Sequence, residues 1–372
     1  MRVICVAAAR PNFMKVKPVM DALEAKGAEV VLVHTGQHYD PSMSDVFFED
    51  LGIREPDHHL GVGSGTHAEH TGQVMVAFEQ LLDSNPADVL VVVGDVNSTL
   101  ACAIVGAKAG VRVAHVEAGL RSRDWDMPEE VNRVVADRVS DYLFAPSADA
   151  VENLRSEGYR DDQIHLAGNV MIDTLLSNAD RARERDVVSR LGLHPGAYGL
   201  VTLHRPSNVD EPEVLEDLLG TLGEIAGRLP LVFSVHPRTR AKIEGLGMPD
   251  GITVTEPLGY LDFLALQASS ALVLTDSGGI QEETTALGIP CLTLRTTTER
   301  PITISDGTNQ LVGIERDAIL RATSSVLDDG VEPRCPAIWD GHAGQRIADV
   351  IMTKADTSLG PRPTDLAAEV ES

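Results

Sequence analysis

Short apolar runs alternate with segments of helical spacing along almost the whole chain of 372 residues. Runs of this kind, rich in Val, Ile, Leu and Ala, are typical of strands in a parallel sheet that is covered on both faces. They occur at residues 2–9, 29–36, 88–95, 112–119, 142–147, 164–169, 198–204, 230–236, 252–257, 271–277 and 290–295. Because helical segments separate the runs, the pattern predicts two doubly wound, Rossmann-like α/β domains.

The boundary between these domains is expected in the helical segment at residues 171–199, which ends in a Pro/Gly turn. A chain of this length exceeds the size at which one hydrophobic core usually stops growing. We therefore predict a first domain over residues 1–172 and a second domain over residues 173–355. The polar and acidic residues 356–372 are expected to form a loose tail.

The composition of the chain limits the partners that it can bind. The formal net charge of −25 argues against nucleic acid, because phosphate backbones need a basic footprint. No apolar run approaches the roughly 20 residues that cross a bilayer, so we expect no membrane partner. The cysteines form no CxxC pair, and the first three lie in apolar segments where we expect them to be buried, which is typical of a reduced, cytoplasmic protein. They are Cys5, Cys102, Cys291 and Cys335.

Polar residues follow the apolar runs at the positions where open parallel sheets bind ligands, outside the carboxyl ends of the strands. They are Arg10, Gly36, Gln37, His38, Asp95, Glu117, His204, His236 and Ser277. A solvated loop or a helix cap would explain any one of them. Together they predict two rims that face each other across an interdomain cleft.

The segment at residues 271–290 predicts a strand, a turn of small residues and a helix. Such a turn lets a diphosphate approach the unpaired N–H groups of the helix N-terminus, which carries about half a unit of positive charge. An ordinary helix cap is the alternative. Glu282 or Glu283 could accept hydrogen bonds from a ribose diol. The turn residues are Ser277, Gly278 and Gly279, and basic residues near other strand ends are Arg10, Lys15, His236, Arg238 and Arg240.

Charged side chains are crowded between residues 115 and 133, which include five carboxylates and three arginines. Asp95 and Glu117 follow apolar strands, so partial burial should favour their protonated forms and suit them to acid or base catalysis. Glu129 and Glu130 lie at a predicted helix start. Carboxylates that converge on a cleft with cationic groups indicate proton transfer on a phosphorylated substrate. A structural Arg/Glu network would explain the arginines equally well, namely Arg121, Arg123 and Arg133.

Several common cofactor motifs are absent from the sequence. No GxGxxG follows the first strand, and neither HExxH nor GxxxxGK followed by Ser or Thr occurs, so no nicotinamide site, zinc helix or P-loop is indicated. The histidines at positions 34, 38, 58, 59, 67 and 70 match no metal-site spacing, and we predict no metal and no cofactor. The segment GVGSGTHAEH, residues 61–70, is predicted to be a flexible loop that closes over a ligand.

Eleven short motifs, in order over residues 1–350, together resemble one family, the non-hydrolysing UDP-N-acetylglucosamine 2-epimerases. The motifs are ARPNFMKVKPVM, TGQHYD, GDVNST, HVEAGLRS, MPEEVNR, VTLHRPSN, SVHPRTR, EPLGYLDFLAL, TDSGGIQEE, LRTTTERP and GTNQLVG. The resemblance implies two Rossmann-like domains in the GT-B-like arrangement of many sugar-nucleotide glycosyltransferases, with the active site in the interdomain cleft. It also implies a homodimer and a final helix, near residues 344–354, that crosses back to the first domain.

The reaction implied by the resemblance removes the C2 proton of the sugar nucleotide while UDP leaves C1, which gives 2-acetamidoglucal. UDP then returns to C1 with protonation on the opposite face of C2, so that UDP-N-acetylglucosamine and UDP-N-acetylmannosamine interconvert. The resemblance assigns acid, base and oxocarbenium-stabilising roles to Asp95, Glu117 and Glu129, and places His204 near the sugar and diphosphate. It assigns UDP-sugar binding, with the phenyl ring near uracil, to Arg10, Lys15, His236, Phe263, Ser277, Gly278, Gly279 and Glu283.

The chain departs from the family at three places. It has HRPSN, with Pro206, where much of the family has two arginines and an acid, and its segments at 37–43 and 64–70 differ from well-known members. These positions help to hold an activating second nucleotide sugar in regulated members, so we predict weak or absent activation and no sigmoidal rate curve. The alternative functions are a hydrolysing epimerase, an epimerase of 2,3-diacetamido uronic acid nucleotides, a glycosyltransferase and a non-catalytic nucleotide-sugar-binding regulator.

Overall fold

The computed structural model describes residues 1–36, 50–235, 237–243 and 245–354. Within these ranges, four side chains are not described, those of Arg10, Pro237, Arg238 and Ala241. The predictions for the loop at 37–43, for His236 and for the tail at 356–372 therefore fall outside the described residues.

The described part of the chain contains thirteen strands and fifteen helices. The strands are β1 (Arg2–Ala7), β2 (Glu29–His34), β3 (His58–His59), β4 (Val89–Val93), β5 (Arg112–Val116), β6 (Tyr142–Ala145), β7 (Ile164–Leu166), β8 (Gly199–Thr202), β9 (Leu231–Ser234), β10 (Ile252–Thr255), β11 (Leu272–Thr275), β12 (Cys291–Thr293) and β13 (Asn309–Leu311). The helices are α1 (Arg10–Ala25), α2 (His67–Ser84), α3 (Asn97–Lys108), α4 (Pro128–Val139), α5 (Ala148–Ser156), α6 (Val170–Arg183), α7 (Val187–Arg190), α8 (Pro206–Val209), α9 (Pro212–Ala226), α10 (Pro237–Ile243), α11 (Tyr260–Ala268), α12 (Gly278–Leu287), α13 (Ile302–Ser305), α14 (Arg316–Asp329) and α15 (Ala343–Lys354). Each of the eleven predicted runs contains a strand, whereas β3 and β13 lie outside these runs because their residues, HH and NQL, are mostly polar. None of the described helices combines the length and the apolar character that a bilayer crossing requires.

The strands form two parallel sheets, each with the strand order of a doubly wound domain. The first sheet has the order β3-β2-β1-β4-β5-β6-β7, and the second has the order β10-β9-β8-β11-β12-β13. In the centre of the first sheet, Cys5 pairs with Leu32 of β2 and with Val91 of β4, both in parallel register. The strand order reverses beside β1 and beside β8, which creates the crevice where such sheets bind ligands. The predicted Rossmann-like fold is confirmed.

Apolar side chains cover both faces of each sheet, which explains why the strands are almost continuously apolar. One buried cluster, around Val33 and Leu90, lies on the first sheet, and another, around Phe233 and Leu274, lies on the second. A third cluster includes Phe144 and joins the first sheet to α6, α11, α15 and β8. Three cysteines are buried as predicted, namely Cys5, Cys102 and Cys291.

Helix α6 packs against helices of both sheets, and helix α15 packs against α1 and α6. Helix α6 runs through residue 172 and packs against α1 and α11. Helix α15, at the end of the described chain, packs along α1, where Lys26 pairs with Asp349 at 2.6 Å. Asp173 of α6 accepts two backbone N–H groups at the start of α15, at 3.1 and 2.7 Å. The domain boundary at residue 172 stays a prediction.

The close packing of α15 on α1 predicts that Gly344→Ala destabilises the protein. A Cβ atom at Gly344 would lie 2.6 Å from the carbonyl carbon of Pro18 and 3.1 Å from its Cβ. We expect the free energy of unfolding, measured by chemical denaturation, to fall by about 1–3 kcal/mol. The control is Gly220→Ala in α9, where a Cβ meets nothing within 4 Å. Because alanine has a higher helix propensity than glycine, the free energy of unfolding of this control should equal that of the wild type or exceed it by up to about 1 kcal/mol. Equal losses in both variants would contradict the packing argument.

The predicted flexible loop at residues 61–70 is only partly a loop, because α2 begins inside it. The hydroxyl of Thr66 accepts the N–H of Glu69 at 3.3 Å, and the carboxylate of Glu69 accepts the N–H of Thr66 at 3.1 Å. This capping box fixes the start of the helix, and His70 is buried. The prediction is therefore wrong for residues 67–70, where the spacing of Thr and Glu indicates a helix start.

Candidate active site

The carboxyl edge of the first sheet brings Lys15 and Glu117 together. Nζ of Lys15, on α1, donates to Oε2 of Glu117 at 2.5 Å, and both side chains are buried. Glu117 follows β5 with a φ of 70°, a left-handed conformation that costs a non-glycine residue roughly 1–3 kcal/mol. Gly94 follows β4 beside the pair, and a Cβ there would lie 3.2 Å from Nζ of Lys15 and 3.4 Å from Oε2 of Glu117. A glycine at position 94 thus makes room for the ion pair.

Electrostatics keep Lys15 charged in this buried position. Burial alone lowers the pKa of Lys15, but the carboxylates of Glu117 and then Asp95 outweigh burial and raise the pKa above its ordinary value. The second oxygen of Glu117, Oε1, is buried and accepts no hydrogen bond within the described part of the chain. Because an unsatisfied buried acceptor costs free energy, this oxygen is suited to a proton or a polar group of a ligand.

Asp95 is held by the crowded segment between residues 115 and 133. Its carboxylate pairs with the buried guanidinium of Arg133, and its carbonyl accepts the amide of Asn132 at 2.9 Å. Arg133 also binds Glu130 at 2.8 Å. Glu130 accepts two backbone N–H groups of the preceding loop at 2.9 and 2.8 Å. Burial raises the pKa of Glu130, but these bonds and Arg133 lower it overall. This acid therefore stabilises the loop.

A second buried network lies directly behind Glu117. His115 bonds through Nδ1 to Asp137 at 2.6 Å and through Nε2 to the carbonyl of Gly94 at 2.8 Å. Burial lowers the pKa of His115, but the charge of Asp137 and these bonds raise it overall, which allows both nitrogens to donate. Asp137 also accepts Arg121 at 2.7 Å and a backbone N–H of the Glu117 turn at 3.1 Å. The crowded segment is thus a structural network that supports the acids of the site.

The second sheet presents the start of α12 at its own carboxyl edge. Ser277 precedes the first helical residue, Gly278, so unpaired N–H groups face outward there. A Cβ at Gly278 would lie 2.6 Å from Oε1 of Glu299 and 2.9 Å from Cζ of Arg300, whereas a Cβ at Gly279 would meet nothing closer than 3.9 Å. Packing therefore requires the first glycine, and the second leaves the helix start accessible to an anion.

Three arginines surround the buried carboxylate of Glu299 beside this helix start. Arg295 binds Glu299 at 2.8 Å, Arg205 lies 3.7 Å away, and Arg300 pairs with Glu299 and with Glu282 at 2.8 Å. Burial raises the pKa of Glu299, but the guanidinium groups outweigh burial and hold the pKa well below its usual range. The guanidinium groups gather positive charge and hydrogen-bond donors beside the helix start, which suits a diphosphate.

The edges of the two sheets face each other across a cleft. Burial lowers the pKa of Arg300, but its bonded carboxylates, and then Glu117 and Asp95 on the opposite edge, raise it above its ordinary value. Burial, and then the charge of Arg295, lower the pKa of Arg205. The carboxylates that act in the opposite direction include Glu129 on α4. The acids of the first sheet are therefore close enough to the arginines of the second sheet to act on their charges. The predicted acids converge on one site.

His204 enters the cleft from the second sheet and is held by Asp276, which directly follows β11. Nδ1 of His204 lies 2.7 Å from Oδ1 of Asp276. The carboxylate also accepts the N–H groups of His204 and Arg205, at 3.0 and 2.9 Å, and the amide of Asn208 at 3.1 Å. Asp276 is fully buried, whereas the side chain of His204 is 52% exposed. Burial raises the pKa of Asp276, but the bonds from His204 and the backbone lower it overall.

The remaining predicted site residues are placed less completely. Arg10 is the first residue of α1, but its side chain, like the whole of His236, lies outside the description. Phe263 on α11 is half-buried and packs against the core. Glu283 on α12 is buried beside Glu282 rather than open to the cleft edge. The assignment of uracil to Phe263 and ribose to Glu283 stays a prediction.

Sequence analysis missed several charged residues that the fold brings to the site. Asp276 and Arg295 end apolar runs, so the rule that ligands bind at strand ends could have found both. Arg205 follows the predicted His204 directly. Glu299 and Arg300 lie in the connection between β12 and α13, where no periodic pattern marks them. Only the tertiary structure brings them beside Gly278.

The histidines of the first sheet do not assemble a metal site within the described ranges. Nε2 of His34 lies 3.0 Å from the carbonyl oxygen of Ala8, and its Nδ1 lies 3.4 Å from the ring of His59. In the part of the chain that the structure describes, no group of three or more His, Cys, Asp or Glu side chains could hold a metal ion.

Comparisons with known proteins identify the family. A family model described as UDP-N-acetylglucosamine 2-epimerase matches residues 21–352. The chain is 39% identical over 362 residues to the UDP-N-acetylglucosamine 2-epimerase of Methanocaldococcus jannaschii, covering 94% of this chain and 99% of the relative. It is 40% identical over 356 residues to the UDP-2,3-diacetamido-2,3-dideoxy-D-glucuronate 2-epimerase of Pseudomonas aeruginosa, with 94% and 99% covered. A crystal structure of the M. jannaschii enzyme in complex with UDP-GlcNAc and UDP matches with a TM-score of 0.87 at 38% identity, covering 95% of this chain and 100% of that one.

The fold and the cleft first define a class, a two-domain α/β protein of GT-B-like arrangement with charged residues at the carboxyl edges of both sheets. The chain belongs to the UDP-N-acetylglucosamine 2-epimerase family. It is therefore an epimerase, which is an isomerase by reaction class. The family resemblance of the eleven sequence motifs is confirmed.

The burial of Glu283 predicts a pH-dependent stability. Burial, and then the charge of Glu282, raise the pKa of Glu283 from 4.5 to about 8. The folded state retains a proton that the unfolded chain releases, so this stabilisation is complete below pH 4.5 and is lost as the pH rises towards 8. We expect Glu283→Gln to match the wild type near pH 5 and to exceed its free energy of unfolding near pH 8 by on the order of 2 kcal/mol. The control is Glu79→Gln, on the exposed face of α2. A difference from wild type that does not change with pH would contradict this argument.

Proposed function

We propose that the protein is a non-hydrolysing epimerase that interconverts UDP-N-acetylglucosamine and UDP-N-acetylmannosamine. The observation that carries this proposal is the cleft itself, in which Asp95, Glu117 and Glu129 face the cationic cluster around Glu299. A sugar diphosphate that loses and regains a proton on its sugar needs acids and cations on opposite sides. The M. jannaschii relative is named as a UDP-N-acetylglucosamine 2-epimerase, and its structure contains UDP-GlcNAc and UDP.

In the proposed reaction, a carboxylate removes the C2 proton, and the C–H electron pair forms the C1=C2 bond. The C1–O bond breaks, and its electron pair goes to the β-phosphate oxygen of UDP. The arginines near Gly278 and the N-terminus of α12 stabilise this negative charge. In the second half, UDP attacks C1 while an acid protonates C2 on the opposite face. We assign these proton transfers and the stabilisation of the oxocarbenium-like state to Asp95, Glu117 and Glu129 as a set.

Binding of UDP is assigned to the second sheet, with help from the first. We propose that the diphosphate lies at the start of α12, where Ser277, Gly278 and Gly279 expose N–H groups, and that His204 contacts it. Lys15 holds Glu117 and adds positive charge. We assign the nucleoside and the rest of the diphosphate to Arg10, His236, Phe263 and Glu283. Closure of the two domains would keep the glucal intermediate from escaping and from water.

The experiment that tests the proposal is proton NMR of the purified protein with UDP-N-acetylglucosamine in deuterated water, following C2 and the anomeric signals. Deuterium at C2 together with a UDP-N-acetylmannosamine signal would support the proposal. Free N-acetylmannosamine with UDP would instead assign a hydrolysing epimerase. An unchanged substrate would refute the proposal for this sugar.

We further propose that the enzyme is cytoplasmic and forms a homodimer. Size-exclusion chromatography with light scattering tests the oligomeric state.

A second candidate substrate is a UDP-2,3-diacetamido uronic acid. One relative named for such a substrate is 40% identical to the chain, as close as the relatives named for UDP-N-acetylglucosamine. The guanidinium groups of the arginine cluster are also suited to bind an additional carboxylate. The same NMR measurement with the uronic acid nucleotide distinguishes the two. Faster deuterium incorporation with this nucleotide than with UDP-N-acetylglucosamine would make it the preferred substrate.

A further inference from the structure

The buried carboxylate of Asp276 is satisfied entirely by the turn that carries His204. One oxygen accepts Nδ1 of His204 at 2.7 Å, and the other accepts the backbone N–H groups of His204 and Arg205 and the amide of Asn208. We infer that Asp276 is a positioning residue, which holds the imidazole so that Nε2 faces the cleft and contacts the diphosphate as it leaves C1. This inference deepens the proposed function and rests on it.

The hydrogen bond to Asp276 decides which nitrogen of His204 faces the ligand. The bonds around Asp276 lower its pKa, so it is an ionised carboxylate that can only accept. Nδ1 of His204 must therefore carry a proton. Within the described part of the chain nothing is hydrogen-bonded to Nε2, and half of the side chain is exposed. The imidazole thus offers Nε2 to a ligand in a fixed direction, as a histidine oriented through its other nitrogen does.

The position of the turn places Nε2 beside the diphosphate site. Asp276 directly precedes Ser277, which begins the anion site at α12. Arg205, the next residue after His204, lies 3.7 Å from Glu299 and interacts with Glu129 on the facing wall. When the C1–O bond breaks, its electron pair goes to the β-phosphate oxygen, and a donor at Nε2 stabilises that charge as it develops. The same contact orients UDP for its return to C1.

A direct test of the orientation is NMR of protein labelled with ¹⁵N-histidine, with the signals of His204 assigned by their loss in His204→Gln. We expect Nδ1 to be protonated in the wild type, and we expect the Nε2 signal to shift when UDP is added. Asp276→Asn should change the protonation pattern of the ring, whereas Asp173→Asn should not. Asp173 is a matched control because it is also a buried carboxylate that accepts two backbone N–H groups, but these belong to Ala343 and Gly344 at the start of α15 and not to the turn of His204. An unprotonated Nδ1, or an Nε2 signal that UDP does not move, would overturn the inference even if Asp276→Asn did not fold.

Kinetics separate positioning from a general structural role. We expect Asp276→Asn to lower kcat by about 100-fold with KM changed little, because one donor to the leaving group is misdirected. In the His204→Gln background, the same substitution should lower kcat by less than about a further threefold, since the two residues act as one unit. An undiminished effect in that background would assign Asp276 a structural role only. Absence of any epimerisation by the wild type would instead refute the proposed function, and the NMR result would still decide the orientation.

Discussion

Glu117→Gln should lower kcat for epimerisation by about 10²–10⁴-fold while UDP still binds. Glutamine keeps the shape of the side chain but neither removes nor delivers a proton at C2. The buried Oε1, which has no protein partner in the described ranges, is the atom whose chemistry changes. The measurements are initial rates of deuterium incorporation at C2 and calorimetric titration with UDP.

Three further variants make this result interpretable. Asp95→Asn should also lower kcat strongly, and Glu79→Gln, an exposed change of the same kind on α2, should have no effect. Glu117→Gln leaves Lys15 buried without its partner, so stability will fall. The double variant Lys15→Met with Glu117→Gln should recover stability, because a neutral pair replaces an unpaired buried charge, but it should not recover turnover. Loss of UDP affinity in both Asp95→Asn and Glu117→Gln would assign these residues to binding instead.

Asp137→Asn should produce the largest loss of stability, lowering the free energy of unfolding by about 3–5 kcal/mol near neutral pH. The fully buried carboxylate accepts hydrogen bonds from His115 at 2.6 Å and from Arg121 at 2.7 Å. The neutral amide of asparagine would leave these two buried donors without the negative charge that pairs with them. The turn that holds Glu117 in its left-handed conformation would then relax, and activity should fall together with stability.

The pH dependence of this effect has a definite sign. Burial raises the pKa of Asp137, but the charges and bonds of His115 and Arg121 lower it below the ordinary 3.8. The stabilisation is therefore present above 3.8 and is lost as the pH falls through the lower pKa of the folded state. Urea denaturation at pH 7 and near pH 3 checks this prediction. The difference in the free energy of unfolding between the variant and the wild type should be smaller near pH 3.

A matched control for Asp137 is Asp161→Asn. Asp161 pairs with Arg155 at 2.8 Å, but its side chain is 76% exposed. Exposed ion pairs contribute little, so we expect a change below about 1 kcal/mol. If both substitutions changed stability equally, burial of the His115 network would not be the reason for the effect.

Local pattern found several of the residues that the structure brings to the two sheet edges, because the polar residues of an open parallel sheet are concentrated at strand ends. Asp95, Glu117 and His204 each follow an apolar run, and the structure places each of them in the cleft. Glu129 lies at the predicted start of α4. The same pattern did not distinguish Glu129 from Glu130, although the first faces Arg205 across the cleft and the second binds backbone N–H groups inside its own loop.

The partners of the catalytic candidates come from distant parts of the chain. Lys15 meets Glu117 across 102 positions, and Asp276 accepts the backbone N–H groups of His204 and Arg205 across 72 and 71 positions. Glu299 and Arg300 reach Gly278 only because β11 and β12 are adjacent in the second sheet. No spacing rule predicts such pairs, since sequence separation does not indicate which loops meet at a sheet edge.

The sequence by itself determined the two parallel sheets, their order of strands along the chain, the family and the acids at the strand ends. Strand periodicity and glycine turns are local properties, so they can be recognised without coordinates. Only the tertiary structure decided which charge neutralises which, and that Asp276 orients His204. Burial and Coulomb interactions depend on distance in space, and a chain brings distant residues together only when it folds.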